Sequence, residues 1–375
     1  MLFPGNTTWL SRGTPEAARL TGSQFGDPMI ISSVAPSVPL SYSLIPARIE
    51  APARLHLGFL DPGATLGRKF ASLGLVIEGM HTRLSVAAAS RNDVVAAGGA
   101  GGDAVRERLT RYLALLQRET GAAQPLRVTV YEAPPAHAGF GSGTQLALAL
   151  GRAFARIHRL DLRTRRIAAL LGRGERSGVG IAGFDRGGLL LDGGPGAAGV
   201  PAPLLARATF PGEWRVLLVL DERIDGLHGA AERCAMDNLP PFPAALAAEL
   251  CHQVLMRVLP AALEGGFEPF AAGVSAIQRL IGEYFAPAQG GSMYTSAAVA
   301  RLLEWVRPRY RAGIGQSSWG PTGFAILPSA ARAAEAIAAA RAAGVVDPAL
   351  RLVVVAGRNH GARVANDVFP PLGGR

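Results

Sequence analysis

Three glycines and two hydroxyl residues crowd one junction of this chain. Gly139, Gly141, Ser142, Gly143 and Thr144 lie in PPAHAGFGSGTQ (134–145). The stretch separates a strand-like run, LRVTVYE (126–132), from an apolar run with helical spacing. A loop of small residues feeding a helix N-terminus aims several backbone N–H groups at one point. The helix dipole adds about half a positive charge there. Glycine lets the backbone approach a bulky anion and adopt positive φ. The hydroxyls of Ser142 and Thr144 can donate to phosphate oxygens or help hold a metal. The pattern suits a phosphate or pyrophosphate; a ligand-free glycine connector is the alternative. No Gly-Lys-Ser/Thr follows, so this is not a Walker A loop.

Other side chains have types that could serve such a ligand. Arg54 alternates with apolar neighbours in ARIEAPARLHLGFLD (47–61) and faces either a cleft or solvent. Asp61 ends that run beside Pro62-Gly63; it is a candidate to hold a divalent cation or steady a developing positive charge, or else caps a turn. Asp185 and Asp192 pose the same choice. Arg68 is placed to pair with a phosphate or carboxylate, or with a surface acid. Arg176, Ser177 and Gly180 sit in SGVGIAGFDRGGLLLDGG and its preceding residue, where glycines imply close backbone approach to a ligand or a strand. GIGQSSWGPTGFAILP (313–328) offers Ser317, Ser318, Trp319 and Thr322; the indole either stacks on an aromatic ligand or fills the core. His137, Asn359 and His360 are loop residues that border a site or belong to ordinary turns. No Ser-His-Asp or Cys-His signature points to a covalent nucleophile.

The elements that must position these residues follow from periodicity. Strands are expected at 47–61, 72–79 and 81–89, a helix at Asp103–Glu119, a strand at 126–132, and helices near 144–158 and 163–172. Residues 177–194 read as two short strands around a turn. This block forms one α+β domain, 46–205. The second domain, 206–375, starts with a buried strand in EWRVLLVLDE (213–222). Helices follow near 243–264, 267–283 and 296–310, then a glycine-rich turn running into a strand at 313–328, a helix at 329–344 and a strand at 350–357. That order suggests a ferredoxin-like arrangement. Residues 1–45, rich in Pro, Ser, Gly and Thr, read as a loosely ordered extension.

The 375 residues are 49% hydrophobic and 18% charged, which supplies a core and argues against disorder. The net charge of +10 is nearly all arginine, Lys69 being the only lysine. Arginine grips phosphate and carboxylate bidentately, although a GC-rich genome also raises its frequency. No dense basic run with interleaved aromatics is present, so a nucleic-acid partner is not expected. Cys234 and Cys251 form no disulfide framework, which fits a reducing cytoplasm. No apolar run is expected to span a membrane.

Three segments together resemble the GHMP kinase superfamily. Pro135–Thr144 is similar to its second motif, APARLHLGFLD (51–61) to its first, and GQSSWGPTGFAIL (315–327) to its third. The resemblance implies an α+β, GHMP kinase-like two-domain fold, with a ribosomal protein S5-like N-terminal domain and a ferredoxin-like C-terminal domain. Two departures weaken ATP-dependent phosphoryl transfer: Gly143 replaces the second serine of the kinase loop, and Gly58-Phe59-Leu60-Asp61 replaces the Glu-His ending of the first motif. The variant motifs resemble the β-ribofuranosylaminobenzene 5′-phosphate synthase family. That resemblance implies a decarboxylating C-glycosyltransferase joining phosphoribosyl pyrophosphate to 4-aminobenzoate or 4-hydroxybenzoate, at the opening of tetrahydromethanopterin synthesis. It also implies Mg²⁺ and a homodimer. On this reading Gly139, Gly141, Ser142, Gly143 and Thr144 bind the diphosphate, Asp61 and Arg68 are catalytic, and Asp61 with Asp185 holds the metal. Arg54, Arg176, Ser177, Ser317, Ser318, Trp319 and Thr322 contact substrate. An ATP-dependent small-molecule kinase, or a non-catalytic phosphate-ligand-binding protein of the same fold, is the alternative.

Overall fold

A computed structural model of the protein describes residues 43, 45–96, 100–196, 200–226, 229–365 and 369. The expected extension at 1–45 lies outside the described residues except for 43 and 45.

The first half contains β1 (Ala47–Asp61), β2 (Phe70–Ala88), β3 (Asp93–Ala96), α1 (Ala100–Thr120), β4 (Leu126–Glu132), α2 (Ser142–Ile157), α3 (Thr164–Leu170), α4 (Val179–Arg186), β5 (Leu189–Asp192) and β6 (Leu204–Ala208). The second half contains β7 (Arg215–Asp221), α5 (Gly229–Asp237), α6 (Ala244–Gln253), α7 (Leu259–Glu264), α8 (Phe267–Phe285), α9 (Ala297–Tyr310), β8 (Gly313–Gln316), β9 (Gly323–Leu327), α10 (Ala330–Ala342), β10 (Leu350–Ala356) and β11 (Arg363–Val364). A division after residue 205 would cut β6.

One sheet runs β11-β1-β2-β4-β3, with β5 beside β2 and β6 beside β5. The other runs β10-β7-β9-β8, antiparallel throughout. In its own chain order that is 4-1-3-2, the ferredoxin-like arrangement expected from the sequence. The two expected strands at 72–79 and 81–89 are instead one strand. Ile77 pairs with Ala53 and His81 with Pro52, so Glu78–Met80 loops out. Gly79 takes a φ of 78°, which absorbs the extra residues without ending the strand.

The reading of 177–194 as two strands is corrected too: α4 precedes β5. Its glycines serve packing rather than turning. A Cβ at Gly180 would lie 3.2 Å from the Thr144 methyl carbon, and one at Gly183 would lie 2.8 Å from Val76. The turn itself falls at Gly187 and Gly188, both at positive φ.

Sequence periodicity also missed β3, β6, α5 and β11. Residues 313–328 form a complete hairpin, β8 and β9, rather than a turn and one strand.

Against the first sheet, Leu109, Leu113 and Leu116 of α1 and Leu146, Leu150 and Phe154 of α2 bury their apolar stripe on Val86 and Val128. A second core crosses between the sheets. It joins Leu55, Leu57 and Leu73 to Leu218, Phe324 and the α8 residues Val274, Ile277 and Ile281. The stretch Ala244–Glu264 is, by length and composition only, apolar enough to cross a membrane, with a mean hydropathy of 1.3 over an 18-residue window. Its Leu250, Val254 and Val258 lie in the core shared with α8, as in a core helix.

Behind the first sheet, buried Arg358 bonds to Glu50 at 3.0 Å and Glu78 at 3.2 Å. This ties the segment after β10 to β1 and β2.

Candidate active site

Gly141 begins α2 at a φ of 70° and supplies no side-chain cap. The amides of Thr144 and Gln145 fold back onto the Gly141 carbonyl, at 3.0 and 3.1 Å. The amides of Ser142 and Gly143 stay at the open end of the helix. Glycine is required here for two reasons. φ near 70° is the left-handed region, and a Cβ would stand 2.9 Å from the Arg54 guanidinium carbon.

Arg54 is on β1, whose own amide donates to Phe140 O at 3.1 Å. Its Nη1 donates to Gly139 O at 2.6 Å, and its buried Nε has no partner among the described residues. Burial, then the repulsion of Arg173, depresses its pKa to about 10, which leaves it cationic at neutral pH.

Two further arginines close over the same turn, and no sequence motif marks either. Arg173, after α3, donates to Thr144 Oγ1 at 3.1 Å. A Cβ at Gly143 would lie 3.2 Å from Arg108 Nη1 and 3.7 Å from Arg173 Nη2. The space of the second serine in the kinase loop is therefore taken by guanidinium groups. Among the described residues, neither Arg54, Arg108 nor Arg173 forms an ion pair with a carboxylate. Three cations, two free amides and a helix dipole converge on one half-exposed spot. That combination attracts a polyanion. Arg108 sits on α1 beyond any recognisable motif, so only its arrival beside Gly143 reveals it.

The third glycine-rich segment braces this cradle. Ser317 Oγ donates to Gly139 O at 2.7 Å and accepts the His56 amide at 2.9 Å. A Cβ at Gly139 would lie 2.3 Å from Ser317 O, so the glycine is explained by this contact. Ser317 is a strut of the fold, and Thr322 is fully buried with its carbonyl accepting from Ser317.

Ser318 and Trp319 line a neighbouring cavity of about 720 Å³. Trp319 is 3% exposed and packs on Phe285 at 4.9 Å.

Several expected site residues are elsewhere. Asp61 and Arg68 belong to the tip of the β1–β2 hairpin. That tip lies seven residues along β1 from Arg54, roughly 20 Å by strand rise. Asp61 accepts from the Thr65 amide and hydroxyl, both at 2.8 Å, and Arg68 holds the carbonyls of Gly193 and Gly194. Asp185 accepts from Thr164 at 2.5 Å and lies 3.7 Å from Arg152. The chain continues seamlessly from motif to hairpin, and sequence spacing could not show that distance.

Arg176 is spent on Glu232 at 2.6 Å. Ser177 donates to Asp192, which caps α4 through the amides of Gly178 and Val179. Burial raises the Asp192 pKa against the pull of these bonds.

Asp61 and Asp185 thus share no metal site. Among the described residues no three His, Cys, Asp or Glu side chains gather as a metal centre would. The cradle is cationic, and its oxygen donors are the hydroxyls of Ser142 and Thr144. It does not fit a divalent ion held by the protein.

A glycine-loop helix start built against a ferredoxin-like second sheet defines the GHMP kinase fold. The family model for GHMP kinases, N-terminal domain, matches residues 107–188, and that for the C-terminal domain matches 258–346. Solved structures agree. Mevalonate diphosphate decarboxylase from Staphylococcus aureus superposes with a TM-score of 0.61 at 13% identity, covering 86% of this chain and 98% of that one. Homoserine kinase from Cytophaga hutchinsonii gives 0.58 at 14%, covering 85% and 97%.

Within this class, the chain belongs to the β-ribofuranosylphenol 5′-phosphate synthase family. The protein of that name from Archaeoglobus fulgidus is 34% identical over 297 residues, 75% of this chain and 88% of the relative. The one from Methanothermobacter thermautotrophicus is 29% identical over 329 residues, 84% and 97%.

Proposed function

We propose that this chain is a decarboxylating C-glycosyltransferase. It condenses phosphoribosyl pyrophosphate with 4-hydroxybenzoate or 4-aminobenzoate, giving a β-ribofuranosylbenzene 5′-phosphate, carbon dioxide and pyrophosphate. The relatives' name describes a phenol product, which favours the hydroxybenzoate. The observation that carries the reading is the trio Arg54, Arg108 and Arg173, without carboxylate partners among the described residues, around the first turn of α2.

The ribose C1–O bond breaks, and its electron pair leaves on the diphosphate. The ring carbon bearing the carboxylate bonds to C1. The carbon–carboxylate bond then breaks and returns its pair to the ring as carbon dioxide departs. No oxidant or net proton is consumed. The residues present serve the first step: guanidinium groups and the Ser142 and Gly143 amides receive charge that appears only as the bond breaks. One such preorganised donor contributes about 2–4 kcal/mol. Mg²⁺ would reach the cradle as the diphosphate's own counter-ion. The two free thiols suit a reducing cytoplasm. The reading includes a homodimer and a place at the opening of tetrahydromethanopterin synthesis.

The test supplies phosphoribosyl pyrophosphate, Mg²⁺ and carboxyl-labelled 4-hydroxybenzoate, and follows labelled carbon dioxide and pyrophosphate. Equal release of both is expected. Absence of both, with ADP formed from ATP and a small alcohol, would replace this reading with the kinase one.

A further inference from the structure

The cavity of about 720 Å³ lies beside the cradle rather than in it. None of Arg54, Arg108, Gly139, Gly141, Ser142, Gly143, Thr144 or Arg173 lines it. It runs along α8, with β8 and α9 as its other walls. Its inner end is aromatic: Phe59 packs edge-on to His56 at 4.5 Å, and Phe285 meets Trp319 at 4.9 Å. Ile281 completes that end.

Two of its lining side chains carry a buried polar atom, Trp319 Nε1 and His56 Nε2, without a partner among the described residues. An unpaired buried donor is costly unless a ligand or water meets it. Burial, then the nearby Arg54 charge, lowers the His56 pKa to about 3, so the imidazole is neutral and its Nε2 is free to donate or accept by tautomer. The rim carries Arg279–Glu283, Arg307–Glu304 and Arg311–Glu268 pairs, each well exposed, so an arriving anion exchanges with them at little expense.

His56 and Arg54 are two residues apart on a regular stretch of β1, paired to Gly74 and Val76. They share one face of the strand, about 6.6 Å apart by strand rise. In the proposed reaction the ring carbon and the departing diphosphate both meet the ribose at C1, so their two sites must adjoin. His56 beside the cavity and Arg54 beside the cradle are such neighbours.

Resting on the reaction proposed above, we infer that the inner end of the α8 cavity is the binding site of the aromatic acceptor. A para-substituted benzoate sits between Phe59, Ile281, Phe285 and Trp319, and meets the orphaned nitrogens of His56 and Trp319. The two substrates then arrive by separate routes, the anionic donor at the start of α2 and the ring along α8.

Two variants test this. Trp319→Phe keeps the ring and removes the N–H donor. Ala276→Leu fills the cavity from α8 with a residue that favours helix. Each is first matched to wild type in circular dichroism and melting temperature. Equilibrium dialysis with ring-labelled 4-hydroxybenzoate, with pyrophosphate present, reads acceptor binding; a separate titration reads pyrophosphate alone. At least tenfold weaker benzoate binding in Ala276→Leu, a several-fold loss in Trp319→Phe and unchanged pyrophosphate affinity are expected. Benzoate binding that is equal in wild type and both variants, or absent in wild type, overturns the cavity assignment. Failure of the reaction shows differently, as bound benzoate that yields no carbon dioxide with the sugar donor.

Discussion

Arg54 and Gly141 face each other so closely that a methyl group on Gly141 would stand 2.9 Å from the guanidinium carbon. The residue that caps the start of α2 and an arginine 87 positions earlier are thereby fitted as one surface. Gly141→Ala meets both this contact and a backbone φ of 70°. It is expected to displace Arg54, lower the melting temperature by several degrees and weaken pyrophosphate binding. Calorimetry of the variant with and without pyrophosphate measures both effects.

Removing a guanidinium from the cradle acts on the ligand more than on the fold, because these groups repel one another. Arg173→Ala is expected to weaken pyrophosphate about 10- to 100-fold, the value of a hydrogen bond to a charged group. It leaves stability unchanged or slightly raised, since the Arg54 charge loses a neighbour that opposes it. Titrations at two salt concentrations check the origin: wild-type affinity falls with salt more steeply than that of the variant.

Asp61→Asn and Arg68→Ala are expected to leave the turnover number within twofold of wild type. Their contacts hold the hairpin tip, far along β1 from the cradle. Steady-state rates at saturating donor and acceptor decide it, and a hundredfold loss in either would return that residue to the chemistry.

The Arg358 network makes a prediction about pH. Burial works to raise the Glu50 pKa, but bonds from Arg358 and Arg83 outweigh it, so the folded value lies below the ordinary one. A carboxylate lowered on folding contributes stability that is present above its unfolded pKa and lost as pH falls through the folded value. Wild type should therefore lose stability below about pH 4.5, the ordinary glutamate value. Arg358→Ala should be destabilised by about 3 kcal/mol at pH 7, toward the low end for a broken buried pair because Glu50 and Glu78 keep some water. The deficit should shrink at pH 4. Urea melts at both pH values test the sign.

The glycine loop and the helix it feeds were legible because their signals are local: small residues, a strand before and a helical stripe after. The ferredoxin-like order was legible for the same reason. What stayed hidden depended on distant meetings. Gly178, Gly180 and Gly183 signal a close approach in the sequence, but only the fold shows that Ala202, Thr144 and Val76 are what approaches them. Gly139 looks like a ligand contact until Ser317 fills the space. Arg108 and Arg173 carry no motif, and Asp61 stands apart from the cradle although the same strand carries Arg54. No linear pattern encodes where a 19-residue β2 ends its pairing with one neighbour and begins with another.

β11 pairs with β1 through Ile49–Val364 and Glu50–Arg363, and Arg358 reaches the same glutamate. The opening sheet is thus closed by residues that leave the ribosome long after it. During synthesis one flank of β1 stays bare until the rest of the chain has been made. Folding from N-terminus to C-terminus, domain by domain, would leave that flank of β1 uncovered until β11 has been made.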